Sequence, residues 1–258
     1  MIQRVTRRME NKLFLDFNDQ QLLILLEDVN GDCQEKRISY DMKRPFSLEE
    51  MKEQIRKAMS ESSLKGISWY GTDFTLIPES IFLETELQTY YELNFGKLAN
   101  DQVLQFEKLH SFQAVLIYTV PKWLKEMATS TLFLAHVPSL VSLCLKKQFS
   151  GNEANNVYLL IQESSFLLSV KQNKQLQLCL PSEFHGTTDI LYFILANQQK
   201  MNLPTVNALH VYPAGSSFDQ ETFESLWKQF KDFSEFETHF YSQAAYQKSI
   251  LCASSEVS

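Results

Sequence analysis

The chain has 258 residues, enough for one large core or for two domains of roughly 100–150 residues each. Its net charge of −7 disfavours non-specific binding to nucleic acid or to anionic lipid. Only 7 residues are glycine, about 3% against an average near 7%, so few positions let the backbone approach a phosphate closely.

The first predicted elements are three strands and a helix. Apolar side chains alternate along residues 12–18, and residues 22–26 form a continuous apolar run, typical of a strand that is covered on both faces. After an Asn-Gly turn, residues 33–40 are more polar, as expected of an edge strand. The motif Ser-Leu-Glu-Glu at 47–50 has the pattern of a capping box and predicts that a helix starts there.

A second group of elements repeats this order. Residues 157–161, 166–170 and 176–180 are predicted strands, and Pro181 is expected to end the third. A helix is predicted from Thr187 or Thr188 to about residue 201, apolar nearly all round and therefore buried. The three-strand-plus-helix pattern thus occurs twice.

Further elements lie between and after the two copies. Strands are predicted at 74–77, 102–110, 114–120, 132–136 and 208–212. Helices are predicted at 85–94, 121–129 and 139–149. The polar segment 150–156 is the best candidate boundary between the two halves.

A duplicated unit of this kind is the organisation of the actin-like ATPase superfamily. The chain resembles the bacterial pilus-assembly and cell-division branch in particular, because residues 118–124 (Tyr-Thr-Val-Pro-Lys-Trp-Leu), the segment 132–136 and an apolar helix look like the end of that branch's first half. Residues 74–82 and 116–121 are similar to signature stretches of a bacterial family of unknown function with an actin-like fold.

The resemblance covers most of the chain and implies its architecture. The expected fold class is α/β, a duplicated actin-like (ribonuclease H-like) fold with two lobes of mixed sheet flanked by helices. The first lobe would be residues 1–150, with an extra subdomain inserted at about 66–119, and the second would be residues 151–258.

The resemblance also implies where a nucleotide would bind. In working members, two Asp-x-Gly hairpin turns hold the phosphates and the metal's water shell, and a Gly-Gly turn receives the adenosine. The first turn here keeps Asp16 but has Asn18 in place of glycine, and the second has Gln162 or Glu163 near the Asp position and a serine in place of glycine. Gly215 is the single glycine of the third turn. These remnant candidates predict a degenerate nucleotide site.

Other chemistry has weaker support. Asp16 has a simpler interpretation as a turn residue that hydrogen-bonds its own backbone. Asp16, Glu53 and Asp73 could be imagined as ligands of a two-metal nuclease, but the acidic charge and the duplication argue against it. The five histidines have no partner ligand at metal spacing, so no metal site and no catalytic residue are predicted.

The spacing of the cysteines and the length of the apolar runs indicate where in the cell the protein is located. Cys33, Cys144, Cys179 and Cys252 form no Cys-x-x-Cys, no signal-peptide pattern is recognised, and no apolar run is long enough to span a bilayer. These features predict a cytoplasmic protein with reduced thiols and no membrane insertion. Cys144 lies on an apolar helix face and is predicted to be a small core residue.

Aromatic residues are concentrated near the C-terminus, at a spacing that indicates helices and a core, or a partner-binding patch if several are exposed together. They are Phe218, Phe223, Trp227, Phe230, Phe233, Phe236 and Phe240.

Retention of the fold without intact phosphate turns predicts a non-catalytic scaffold or adaptor that binds another protein and not nucleic acid. No cofactor is expected in that role. The alternative is a nucleotide-binding protein or slow ATPase that uses ATP with magnesium in the crevice between the lobes.

Overall fold

The computed structural model describes residues 11–41, 44–150, 155–162, 164–201, 208–213, 221, 223–225 and 237–241. Among these residues, contacts define two units. The first contains residues 11–109 and 113–143, and the second contains residues 110–112 and 144–241.

The first unit begins with a four-stranded sheet. Its elements are β1 (Asn11–Phe17), β2 (Gln21–Glu27), β3 (Cys33–Ser39), α1 (Pro45–Glu61) and β4 (Ser62–Trp69). The strand order is β3-β2-β1-β4, so the polar β3 is an edge strand, as predicted. The sequence did not predict β4, which pairs with β1 in parallel. Helix α1 connects the edge strand β3 to this parallel strand.

Helix α1 starts earlier than the capping-box motif predicted. Pro45 lies in the first turn and Arg44 is the N-cap residue, without a side-chain cap. Proline is favoured at this position because its fixed φ suits a helix and its missing N–H would have no partner there. The hydroxyl of Ser47 instead accepts the backbone N–H of Asp41 at 3.2 Å.

A second, three-stranded sheet follows in the same unit. Its elements are β5 (Phe74–Pro78), α2 (Leu87–Phe95), β6 (Gln102–Leu109) and β7 (Ala114–Pro121), in the antiparallel order β5-β7-β6. Tyr91 of α2 packs with Val115 and Ile117 of β7 in a small core. These elements were predicted to within a few residues.

Helices α3 (Lys122–Ser130) and α4 (Leu140–Ser150) follow β7, and α4 continues into the second unit. The strand predicted at 132–136 is wrong. Phe133 has a φ of 57°, a left-handed conformation that an extended strand cannot contain. Within the described segment 131–139, Ser139 forms an isolated parallel bridge with Trp69.

The second unit contains one five-stranded sheet. Its elements are β8 (Asn156–Ile161), β9 (Ser165–Gln172), β10 (Gln175–Glu183), α5 (Thr187–Met201), β11 (Ala208–Pro213) and β12 (Glu237–Phe240), and the strand order is β10-β9-β8-β11-β12. As in the first sheet, the first strand pairs with an antiparallel hairpin partner on one side and a parallel strand on the other.

Three predictions for this unit are corrected. Pro181 lies within β10 rather than ending it, which an edge strand tolerates because proline lacks only a donor. Phe240 is on the strand β12, not on a helix. Helix α5 is not buried all round, since Tyr192 is 74% exposed.

One face of the second sheet forms its main core. Leu159, Leu168 and Leu209 pack there against Ile190 and Ile194 of α5. Phe223 is fully buried in the same cluster. Among the C-terminal aromatics, only Phe223 and Phe240 fall within the described residues.

Candidate functional site

The turn between β1 and β2 is closed by hydrogen bonds of its own. The side-chain Oδ1 of Asn18 accepts the backbone N–H groups of Gln20 at 2.9 Å and of Gln21 at 2.8 Å. The N–H of Asn18 donates to the carbonyl of Gln21 at 3.0 Å. The amides that a glycine-containing turn could direct at a ligand are therefore occupied by the Asn18 side chain.

Asp16 lies two residues before this turn, near the end of β1. It is half-buried and stands opposite Ser68 of β4, whose hydroxyl donates to Asp16 Oδ1 at 2.5 Å. Burial raises the pKa of Asp16 from 3.8 to about 7, although the hydrogen bond from Ser68 and the charge of Arg37 act in the opposite direction. The carboxyl group is thus partly protonated at neutral pH.

The interpretation of Asp16 as a turn residue that hydrogen-bonds its own backbone is wrong. The structure gives that role to Asn18, two positions later. Asp16 instead joins two parallel strands through its contact with Ser68.

Aromatic residues hold the closed turn in position. The hydroxyl of Tyr40 donates to the backbone carbonyl of Asn18. Trp123 packs edge-on against Phe17, with ring centroids 6.0 Å apart, and against Tyr40, at 5.6 Å. The N–H of Tyr70 donates to the carbonyl of Phe17 at 2.8 Å. Contacts on both sides of the turn therefore oppose its opening.

The remaining acidic residues of the nuclease hypothesis do not form a metal centre. Partial burial and the nearby charge of Asp73 raise the pKa of Asp19, and Asp73 accepts a hydrogen bond from Tyr91 at 3.4 Å. Glu53 is on the exposed face of α1, where it pairs with Arg56 at 2.9 Å. Within the described ranges, no group of three or more His, Cys, Asp or Glu side chains is arranged to hold a metal ion.

The second turn, between β8 and β9, is also closed by backbone contacts. The N–H of Gln162 donates to the carbonyl of Ser165 at 2.8 Å, and the N–H of Phe184 donates to the carbonyl of Ser164 at 3.0 Å. The Gln162 side chain is 6% exposed, and its Nε2 has no hydrogen-bond partner among the described residues. The remaining candidates, Glu163 and Gly215, lie outside the described residues.

Sequence reasoning missed three residues around the first turn: Ser68, Tyr40 and Trp123. Ser68 could have been found only after β4 had been recognised as a strand parallel to β1. Tyr40 follows a polar strand and Trp123 is the second residue of α3, so neither position carries a sequence signal that relates it to the distant turn.

Comparison of the sequence with known families decides the family. The pattern of a family described as "Protein of unknown function (DUF3822)" matches residues 4–233. The chain belongs to the DUF3822 family. A search of curated proteins gave no match.

Solved structures similar to this DUF3822 chain show its fold. A Bacteroides thetaiotaomicron protein with an actin-like ATPase fold and unknown function has a TM-score of 0.74 at 17% identity, covering 97% of this chain and 98% of that one. The PilM–PilN type IV pilus biogenesis complex gives a TM-score of 0.55 at 8% identity, over 94% of this chain and 90% of that one. The predicted actin-like fold and the predicted family resemblance are confirmed. None of the helices described here is both long and apolar enough to cross a membrane.

Proposed function

We propose that this DUF3822 protein is a non-catalytic actin-like scaffold or adaptor whose nucleotide site is degenerate. The observation that carries the proposal is the pair of hydrogen bonds from the Gln20 and Gln21 amides to Asn18 Oδ1. A phosphate that approached the turn would have to displace this side chain before it reached either amide.

The cost of that displacement can be bounded. Two hydrogen bonds contribute about 1 kcal/mol each, so opening the turn would reduce phosphate affinity by about 2 kcal/mol, or roughly thirtyfold. Asp16 adds to this cost because a partly protonated carboxyl group attracts a hydrated magnesium ion less strongly than a carboxylate. We therefore expect no cofactor in the native role.

A protein is the proposed partner. The likeness to a PilM structure that is described as a complex with PilN supports this choice over a small-molecule substrate. The net charge of −7 argues against nucleic acid. The proposal includes a cytoplasmic location, because the cysteines of the sequence form no Cys-x-x-Cys motif.

Thermal unfolding with and without Mg-ATP tests the proposal. We expect no change in the wild-type midpoint at millimolar nucleotide and no release of phosphate. A ligand at 100 times its Kd would add about 2.7 kcal/mol of stability. The variant Asn18→Gly, which removes the competing acceptor, is the matched comparison and should bind nucleotide up to about thirtyfold more tightly than the wild type.

A clear wild-type shift that disappears in Gly215→Trp would contradict the scaffold proposal and support the alternative, a nucleotide-binding protein or slow ATPase. The Gly215 variant serves as the control because the resemblance to actin-like ATPases implies that this position belongs to the adenosine turn.

A further inference from the structure

Three large apolar side chains on and near helix α2 of the first unit are exposed to solvent. Ile81 and Leu83 are each 60% exposed, and Leu93 is 78% exposed. Phe82, between the first two, packs against the ring of Tyr90 of α2 at a centroid distance of 5.9 Å. The backbone of Phe82 is extended, so its two neighbours point away from this contact and into solvent.

Tyr90 joins these side chains into one surface. Its hydroxyl donates to the carbonyl of Ile81 at 2.6 Å and accepts the N–H of Leu83 at 3.3 Å. Leu93 lies three residues after Tyr90 on α2, and residues at this spacing are neighbours on a helix surface. Tyr90 is half-buried, so it forms the floor between two more exposed apolar ridges. We call these four residues, Ile81, Leu83, Tyr90 and Leu93, the α2 surface.

The charge around the α2 surface is negative. Residues 73–96 contain five acidic residues and no lysine or arginine, in a chain whose net charge is −7. Glu84, Glu86 and Glu92 are close in sequence to the exposed leucines. The hydroxyl of Thr89 donates to Glu86 at 3.1 Å, and the side-chain amide of Gln88 donates to Glu92 at 2.7 Å. Because these contacts are with neutral groups, the carboxylates keep their charge for a cationic partner.

The charge and shape of the α2 surface restrict what it can bind. Nucleic acid and anionic lipid are repelled by the carboxylates. A small molecule needs an enclosing pocket, whereas the apolar side chains here are more than half exposed. A symmetric dimer of this chain through the same surface would place the carboxylates of the two copies opposite one another. A partner with the opposite charge and an apolar stripe remains.

We propose that the α2 surface binds an amphipathic helix of a partner protein that carries lysine or arginine beside a row of leucine-type side chains. The apolar row packs over Tyr90, between residues 81–83 and Leu93, and the cations pair with Glu84, Glu86 and Glu92. This inference rests on the proposed scaffold role and names the chemistry of the partner. It uses none of the residues of the turn between β1 and β2.

Fluorescence anisotropy of a labelled synthetic helix of leucine and lysine, titrated with the full chain at physiological salt, tests the surface. The wild type is expected to bind the peptide saturably, and a peptide with glutamate in place of lysine is expected not to bind. Leu93→Ser should weaken binding about tenfold or more, because the leucine is buried on binding. Tyr192→Ser, at a residue that is 74% exposed in the second unit, should leave binding unchanged.

A pair of charge reversals separates local from overall electrostatics. Glu84→Lys combined with Glu86→Lys places cations beside the α2 surface and should weaken binding about tenfold or more. Glu50→Lys combined with Glu61→Lys changes the net charge equally at two exposed positions of α1. This control should weaken binding less than about threefold, because salt screens distant surface charges.

Three outcomes would overturn the proposal. Absence of saturable binding by the wild type would reject it directly. Equal binding by Leu93→Ser and the wild type would show that the peptide binds elsewhere, and equal weakening by the two charge reversals would show that it responds only to net charge. If circular dichroism shows that Leu93→Ser does not fold, Leu83→Ser decides by the same criterion.

The failure of this surface is distinguishable from the failure of the scaffold role. Loss of peptide binding together with no response to Mg-ATP would reject the α2 surface and leave the scaffold proposal standing. Peptide binding together with a wild-type response to Mg-ATP would reject the non-catalytic role and keep the surface.

Discussion

Asp16→Asn is expected to stabilise the protein at neutral pH and above, and to change its stability little near pH 4. The substitution keeps the size of the side chain and an oxygen that can accept the Ser68 hydroxyl hydrogen bond. It removes a carboxyl group whose pKa burial raises from 3.8 to about 7. In the unfolded chain this group loses its proton near its ordinary pKa, whereas in the folded protein it loses the proton near neutrality. The wild type therefore loses stability as the pH rises from about 4 through about 7.

The magnitude follows from the size of the pKa change. Each tenfold change in proton affinity is worth about 1.36 kcal/mol of stability. A pKa rise from 3.8 to about 7 therefore lowers the stability of the folded protein by at most about 4 kcal/mol. Because Asp16 is half-buried and keeps some solvent contact, we expect about half of this, or about 2 kcal/mol. The variant should exceed the wild type by about that amount at about pH 8 and by less than about 0.5 kcal/mol at about pH 4.

Urea unfolding followed by tryptophan fluorescence across this pH range measures the difference, using the three tryptophans of the chain. Asp101→Asn, which alters an exposed acid elsewhere in the same unit, is the control and should change stability little at either pH. A stability gain of Asp16→Asn that is equal at both ends of the range, or no gain at all, would refute the reasoning.

Three further substitutions test other contacts by urea unfolding. The carboxylate of Glu107 accepts the Ser139 N–H at 2.8 Å beside the start of α4, and Glu107→Gln removes its charge. The substitution should lower the free energy of unfolding by about 1–2 kcal/mol. An unchanged urea midpoint would show that the contact does not stabilise the protein. Asn18→Ala removes two accepted hydrogen bonds and should cost about 1–2 kcal/mol; a neutral effect would mean that the turn is not held closed as described. Leu168→Ala in the second core should cost about 2–5 kcal/mol, clearly more than Leu180→Ala at its 38% exposed register partner on the edge strand. Equal costs would contradict the deeper burial of Leu168.

The repeated architecture was predictable because its strands carry strong patterns. Residues 22–26 of β2 are all apolar, residues 166–170 of β9 are apolar except for Ser169, and such buried strands differ clearly from the polar edge strand β3. Strand β4 was missed because its first half is largely polar, its second half begins with Gly66, and only its last four residues are buried. Its position beside β1 depends on a parallel pairing that no local pattern encodes.

The short strand β12 and the continuation of β10 past Pro181 were not predicted, because both depend on pairing with a neighbouring strand. The spacing of Phe236 and Phe240 suits a helix, yet Phe240 belongs to a strand that pairs with β11. Pro181 normally ends a strand, but at a sheet edge the lost donor costs little. In both cases the neighbouring strand decides the structure.

The candidate site was predictable in composition but not in geometry. The resemblance to actin-like ATPases implies that Asn18 replaces a glycine, and together with the other two turns this predicted a degenerate site. It does not show that the Asn18 side chain accepts two amides of that turn, because a hydrogen-bond network requires coordinates. Cys144 was predicted to be a small core residue, whereas it is half-buried.

The backbone amides of Gln20 and Gln21 provide the most direct test of the central claim. Nitrogen–proton correlation NMR of the full chain, recorded with and without Mg-ATP, observes these two N–H groups individually. If Asn18 closes the turn, both amides exchange slowly with solvent and neither signal moves at millimolar nucleotide. Saturable shifts of both signals, with loss of the Asn18 hydrogen bonds, would show that the turn opens to bind phosphate and would contradict the account.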